Sequence, residues 1–198
     1  MLATASCLPL RQVKVYSPRQ ARREDFAARM SAVLGFSVEP SADPEDAVGG
    51  TDLVIVATNT GPAGGAAYRG EWAEPGQCVV SIGSTNPRLR ELNARTFTRA
   101  DQIVVDASAD QVAEESGDVI ALLRDPVGRD RWQANVTQLA AIVKNGIETP
   151  RQGGIRLFKS VGSAAQDLVA ARLAIQAATA AGRGRQAGAL TSPKFFLS

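Results

Sequence analysis

The sequence contains no histidine. That absence removes histidine-dependent triads and most zinc sites. Any proton transfer has to use carboxylates, Lys, Tyr, Cys, bound water or the substrate itself. Cysteine is scarce. Cys7 and Cys78 stand far apart with no metal-like spacing, which fits reduced thiols in a cytoplasmic protein and predicts no metal site. No apolar run approaches the length of a membrane span. The opening stretch "MLATASCLPLRQ" has no basic segment ahead of its short apolar part, so no secretory signal is expected. The net charge of +2 is too small to argue for nucleic acid or an anionic membrane surface as partner. Neither an internal repeat nor a low-complexity linker interrupts the chain.

What is present is the composition of a soluble globular domain: 198 residues, 44% hydrophobic and 21% charged. Strand-like and helix-like segments alternate along it. "QVKVYS" (12–17) reads as a strand. "PRQARREDFAARMSAVLG" (18–35) reads as a helix, with Pro18 suited to a first turn, a stripe of Phe26, Met30 and Val33, and a stop at Gly35. "FSVEP" (36–40) is a short strand and "DPEDAVGG" (43–50) a turn or two of helix. "TDLVIVATNT" (51–60) and "PGQCVVSIGS" (75–84) are continuous apolar strands of the kind buried in parallel sheets. Helices are predicted over 86–100, starting at Pro87, over most of 108–125, and over 135–146. A strand is predicted at 101–107. The stretch 155–182 reads as strand, glycine turn and long alanine-rich helix, and the tail 183–198 reads as loose. This alternation predicts an α/β protein with an open parallel sheet covered on both faces.

In such sheets ligands lie beyond the carboxyl ends of the strands. Four of these ends are small and polar. The first is Ser17, followed by Arg19, Arg22 and Arg23. An acidic residue there would hold a ribose 2′-hydroxyl, whereas arginine accommodates a 2′-phosphate, so NADP(H) is favoured over NAD(H). Arg22 and Arg23 suit a solvated helix face equally well. The second end is Thr58, Asn59 and Thr60. The third is Ile82, Gly83, Ser84 and Thr85, where glycine would let a cofactor approach the backbone. Ordinary helix capping by Ser, Thr and Asn accounts for these two as well. The fourth is "FKSVGSAAQD", a strand, a glycine and a helix start whose amides suit an anion. Lys159 beside that turn reads as an exposed charge. The stretch "TGPAGGAAYRG" (60–70), flexible by composition, follows the second strand end.

The run "LFKSVGSAAQDLVAA" (157–171), with "IGSTNPRLREL" (82–92), "QIVVDASADQVAEESGDV" (102–119) and "VYSPR" (15–19), resembles the ornithine cyclodeaminase and mu-crystallin family from about residue 11 to about residue 182. The resemblance implies a Rossmann-type doubly wound sheet over 1–182 and a nicotinamide cofactor. It also implies chemistry on an amino acid or cyclic imine, with hydride passed to or from the α-carbon. By position in the family's motifs, Ser17 and Arg19 fall at the adenosine ribose or its phosphate. Thr58 falls on a cofactor-contacting threonine, and Ile82, Gly83 and Ser84 on the loop that passes the cofactor. Ser160 falls near the nicotinamide, and Val161 against the substrate. Thr85 stands where cyclodeaminases of the family carry a proton-donating aspartate. Threonine cannot donate that proton near neutral pH, so the resemblance favours an imino-acid (ketimine) reductase or dehydrogenase over a true cyclodeaminase. A non-catalytic NADPH or small-ligand binder and an inactive fragment are the other readings.

The glycine loop of such a sheet precedes the ribose-binding position by about 20 residues. Counting back from Ser17 runs off the first residue. "MLATASCLPL" resembles only the end of the first helix. The expectation is therefore a sheet truncated at its N-terminus. It would lack the first strand, the glycine loop and the family's substrate domain, which also carries much of its homodimer contact. In the order 3-2-1-4-5-6 the first strand is central, so a gap is expected between the strands at 12–17 and 51–60.

Overall fold

The two most apolar runs of the sequence meet side by side. In the computed structural model, β3 (Leu53–Val56) pairs in parallel with β4 (Cys78–Ser81), Val54 opposite Val79 and Val56 opposite Ser81. On the other side of β4 lies β7 (Arg156–Lys159), then β5 (Gln102–Val105), then β6 (Val136–Gln138), every pair parallel. The order is β3-β4-β7-β5-β6. β1 (Val13–Tyr16) pairs in parallel with β2 (Val38–Ser41) in a separate two-stranded sheet. The interruption expected between the strands at 12–17 and 51–60 is present. The structure describes residues 1–58, 60–61, 64–146 and 153–185.

Local chemistry explains most element ends. α1 (Leu2–Cys7) precedes β1, and α2 (Gln20–Leu34) follows it. Gly35 closes α2 at φ 76°, a left-handed conformation that glycine adopts without strain. α3 (Pro44–Val48) opens with Pro44, and the Asp43 carboxylate accepts from the amides of Glu45 and Asp46. α7 (Pro126–Asn135) repeats the device, Asp125 accepting from Gly128 N.

Two expectations are corrected, and a third holds with one break. The helix predicted over 86–100 forms only as α4 (Ala94–Arg99), capped by Asn93. Residues 86–92 are instead held as an irregular loop. Their amides and carbonyls serve Ser84, Tyr68 and Asp118 rather than a helix ladder. The helix over 108–125 breaks at Ser116 into α5 (Ala109–Glu115) and α6 (Gly117–Leu122). A Cβ at Gly117 would overlap the carbonyls of Leu89 and Pro87, so the chain passes that loop at backbone contact. The segment 135–146 divides into strand β6 and α8 (Leu139–Asn145), because Val136–Gln138 find an open edge on β5.

The chain forms two units, Met1–Gly162 and Ser163–Ser198. The core of the first joins Val54, Val56, Val79, Ile103, Val105 and Leu157 of the sheet to Tyr68, Phe97, Val119, Leu122 and Trp132. Tyr68 is buried within the 60–70 stretch, its amide donating to Glu91 O and its hydroxyl to Gln77 Oε1 at 3.0 Å. The second unit contains α9 (Ala164–Ala180), capped by Ser163, whose hydroxyl accepts from Gln166 N. The tail expectation for 183–198 falls outside the described residues from 186 onward, as does Asn59.

Candidate functional site

Parallel strands bring their carboxyl ends to one edge. On that edge a single buried carboxylate, Glu91, collects four donors. Thr58 at the end of β3 gives its amide and its hydroxyl to Oε1, the latter at 2.9 Å. Ser81 Oγ and Gly83 N, at the end of β4, donate to Oε2, both at 2.7 Å. A Cβ at Gly83 would overlap the Glu91 carboxylate and the Thr58 carbonyl. Glycine at 83 thus admits a close approach from within the protein. Ser84 is fully buried, and its hydroxyl donates to Leu89 O. Ile82 and Thr85 are exposed on the same loop.

Beneath this edge lies an ion pair that corrects the reading of Lys159. Lys159 is fully buried, not an exposed charge. Its Nζ donates to Ser81 Oγ at 3.0 Å and stands 3.7 Å from Asp118 Oδ2. Asp118, buried on α6, accepts at Oδ1 from the amides of Glu91 and Leu92, and Arg90 Nε lies 3.5 Å from the same oxygen. Burial pushes the Lys159 ammonium below its ordinary range and the Asp118 carboxyl above its own. Attraction between them and hydrogen bonds to Asp118 oppose both displacements.

A second carboxylate holds the end of β7. Asp106, just past β5, accepts from Ser160 Oγ at 2.6 Å, from Val161 N at 3.1 Å and from Gly162 N at 3.1 Å. Ser160 N donates in turn to Ser81 O at 2.9 Å. Val161 is buried. The sequence positions 58, 81–84 and 160–161 therefore do come together, bridged by Glu91, Lys159 and Asp106. Glu91 had no visible signal, since "LREL" reads as a solvated helix turn. Asp106 did have one: it is a polar residue at a strand end in "VVDAS", the same criterion that singled out the other four.

Ser17 and Arg19 lie in the turn after β1 of the smaller sheet, and Arg22 lies in the first turn of α2. Arg19 and Arg22 are exposed, while Arg23 donates to the Ser17 carbonyl at 3.1 Å and so orders the turn after β1. Between β1 and β3 runs a cleft of about 1190 Å³, lined along one side by 11–17 and along the other by 52–58. Ser17, Arg22 and Thr58 all line it, which puts the first and second strand ends at one opening. Among the described residues no group of His, Cys, Asp and Glu could hold a metal ion. No helix there is long and apolar enough to cross a membrane.

A parallel α/β sheet of this order, with its strand ends gathered at one edge, defines a Rossmann-like fold. The chain belongs to the ornithine cyclodeaminase/mu-crystallin family, which it matches over residues 1–182. It is 31% identical to the ketimine reductase mu-crystallin of Rattus norvegicus, over 82% of this chain and 46% of that protein. It is 27% identical to a Delta(1)-pyrroline-2-carboxylate reductase of Bacillus cereus, over 89% of this chain and 53% of that one. Its fold superposes, with a TM-score of 0.80 and 28% identity, on the Thermococcus litoralis Delta(1)-pyrroline-2-carboxylate reductase solved with NADH and L-proline. That match covers 94% of this chain and 56% of the other. The chain spans about half the length of the curated relatives it matches.

Proposed function

We propose that this chain is the cofactor-binding part of a nicotinamide-dependent enzyme that reduces an imino acid, cyclic or linear. The observation that carries the reading is the convergence of Thr58, Gly83 and Ser160 on one edge of the parallel sheet, at the positions the family uses for its cofactor. The residues fit such a group. The cleft beside Thr58 is open to a ligand and reaches Ser17 and Arg22 after β1. A bound nicotinamide would supply hydride to the imine carbon. Ser160, pinned by Asp106, orients the turn nearest that chemistry, and Val161 walls the substrate side. Arg19 and Arg22, with no carboxylate at the end of β1, favour a 2′-phosphate and hence NADP(H). Exposed Thr85 offers no acidic proton donor, which supports reduction over ammonia release from a diamino acid. An extended segment seated between β1 and β3 would complete the order 3-2-1-4-5-6 and supply the pyrophosphate cradle.

The test is an assay of purified chain with NADPH or NADH and Delta(1)-pyrroline-2-carboxylate, followed at the nicotinamide absorbance, beside an ammonia assay with ornithine. Imine-dependent NADPH oxidation supports the proposal. Steady ammonia release from ornithine without net cofactor turnover defeats it.

A further inference from the structure

The Glu91 carboxylate sits in a frame that joins three neighbouring strand ends. Oε1 takes both donors of Thr58 from β3, and Oε2 takes Ser81 Oγ and Gly83 N from β4. Ser81 Oγ passes the connection on, donating to Glu91 and accepting from Lys159 Nζ of β7. The backbone that carries Glu91 is itself anchored, its amide and that of Leu92 donating to Asp118. Each of these groups is buried or half-buried. Two consequences follow. The carboxylate clamps the Thr58 and Gly83 segments together, beside the ladder bond from Ile82 N to Val56 O and the close approach of Gly83 to the Thr58 carbonyl. And Thr58, with amide and hydroxyl both committed to Glu91 and its carbonyl against Gly83, has its methyl group left to meet a ligand.

We propose that Glu91 is a positioning residue for cofactor binding: it holds the Thr58 and Gly83 segments in register, and Thr58 meets the cofactor through its methyl group rather than its hydroxyl. This rests on the nicotinamide reading above. It assigns to Glu91 and Ser81 a role in affinity although neither lies at an exposed surface.

Glu91→Gln tests it with almost no change of volume. The glutamine replaces one acceptor oxygen by an NH2 that faces donors, so one strand end loses its anchor. Leaving buried donors without an acceptor weakens the dependent state by about tenfold or more. The readouts are NADH and NADPH affinity by nicotinamide fluorescence, and the Thr58 and Gly83 amide proton shifts by 1H–15N NMR of the full chain. Expected for Glu91→Gln are displaced Thr58 or Gly83 resonances and about tenfold weaker binding, with the Val79, Ile103 and Leu157 resonances unmoved. Ser81→Ala removes one of the four donors to Glu91 together with the acceptor of Lys159 Nζ, and is expected to weaken binding severalfold; it decides the matter if Glu91→Gln does not fold. At position 58, serine keeps the hydroxyl bond to Glu91 and loses only the methyl. Thr58→Ser is expected to bind the cofactor more weakly than wild type. Wild-type affinity in Glu91→Gln, or in Ser81→Ala should that variant decide, overturns the positioning role alone. Wild-type affinity in Thr58→Ser overturns the assignment at Thr58. A wild-type chain whose resonances ignore both cofactors overturns the nicotinamide reading, and this inference with it.

Discussion

Tyr68 shows how one side chain ties the 60–70 stretch to the core. Its ring meets Trp72 edge-on at 5.9 Å, and its hydroxyl donates to Gln77, whose amide in turn donates to the carbonyls of Val48 and Thr51. Burial pushes the phenol up to about 12, against an ordinary value of 10.0, with Arg99 opposing and Glu74 reinforcing the rise. A folded pKa above the unfolded one stabilises the fold fully below about pH 10, and that contribution is lost as pH rises through about 12. At about 1.4 kcal/mol per pH unit the loss amounts to roughly 2–3 kcal/mol. Tyr68→Phe is expected to cost about 1 kcal/mol near neutrality, from the lost bond to Gln77, and to flatten the decline between pH 10 and 12. Urea melts followed by Trp72 and Trp132 fluorescence across that range check both parts. A decline as steep as wild type would show that other groups carry the alkaline limb.

At the scale of elements, the two sheets differ in support. β1 and β2 make a parallel ladder of four residue pairs, and two strands alone are marginal. β4, β7 and β5 are each paired on both sides, with Val79, Ile103 and Leu157 essentially inaccessible. Opening of β1–β2 exposes little core, since among their residues Val38 and Ser41 are the buried ones. Amide hydrogen exchange is therefore expected to be at least about tenfold faster over Val13–Tyr16 and Val38–Ser41 than at Val79, Ile103 and Leu157. Equal protection across both sheets would mean that they open as one unit.

At the scale of the whole molecule, the division between β1 and β3 bears on binding. A ligand that binds only the folded chain raises its melting midpoint. At a hundredfold excess over its dissociation constant the gain is about 2.7 kcal/mol, or roughly 5–10 °C for a chain of this size. NADPH is expected to give the larger shift and NADH the smaller, because the function proposed above assigns Arg19 and Arg22 to a 2′-phosphate. A midpoint that neither cofactor moves would count against the nicotinamide reading.

The order of strands and helices was legible in the sequence because apolar runs and glycine or proline stops are local signals. The runs at 53–56 and 78–81 and the stop at Gly35 act within a few residues of themselves. The polar strand ends Thr58, Gly83 and Ser160 were legible for the same reason. The sequence alone could not show that 86–92 abandons its helix, because the reason is distant: Asp118 takes two of its amides, and Thr58, Ser81 and Gly83 compete for the Glu91 side chain. Nor could it show that Lys159 is buried, since a lysine beside a glycine turn normally lies in water. Only the tertiary structure brings Ser81 and Asp118 within reach of its ammonium, and those partners offset the desolvation that would otherwise drive it out.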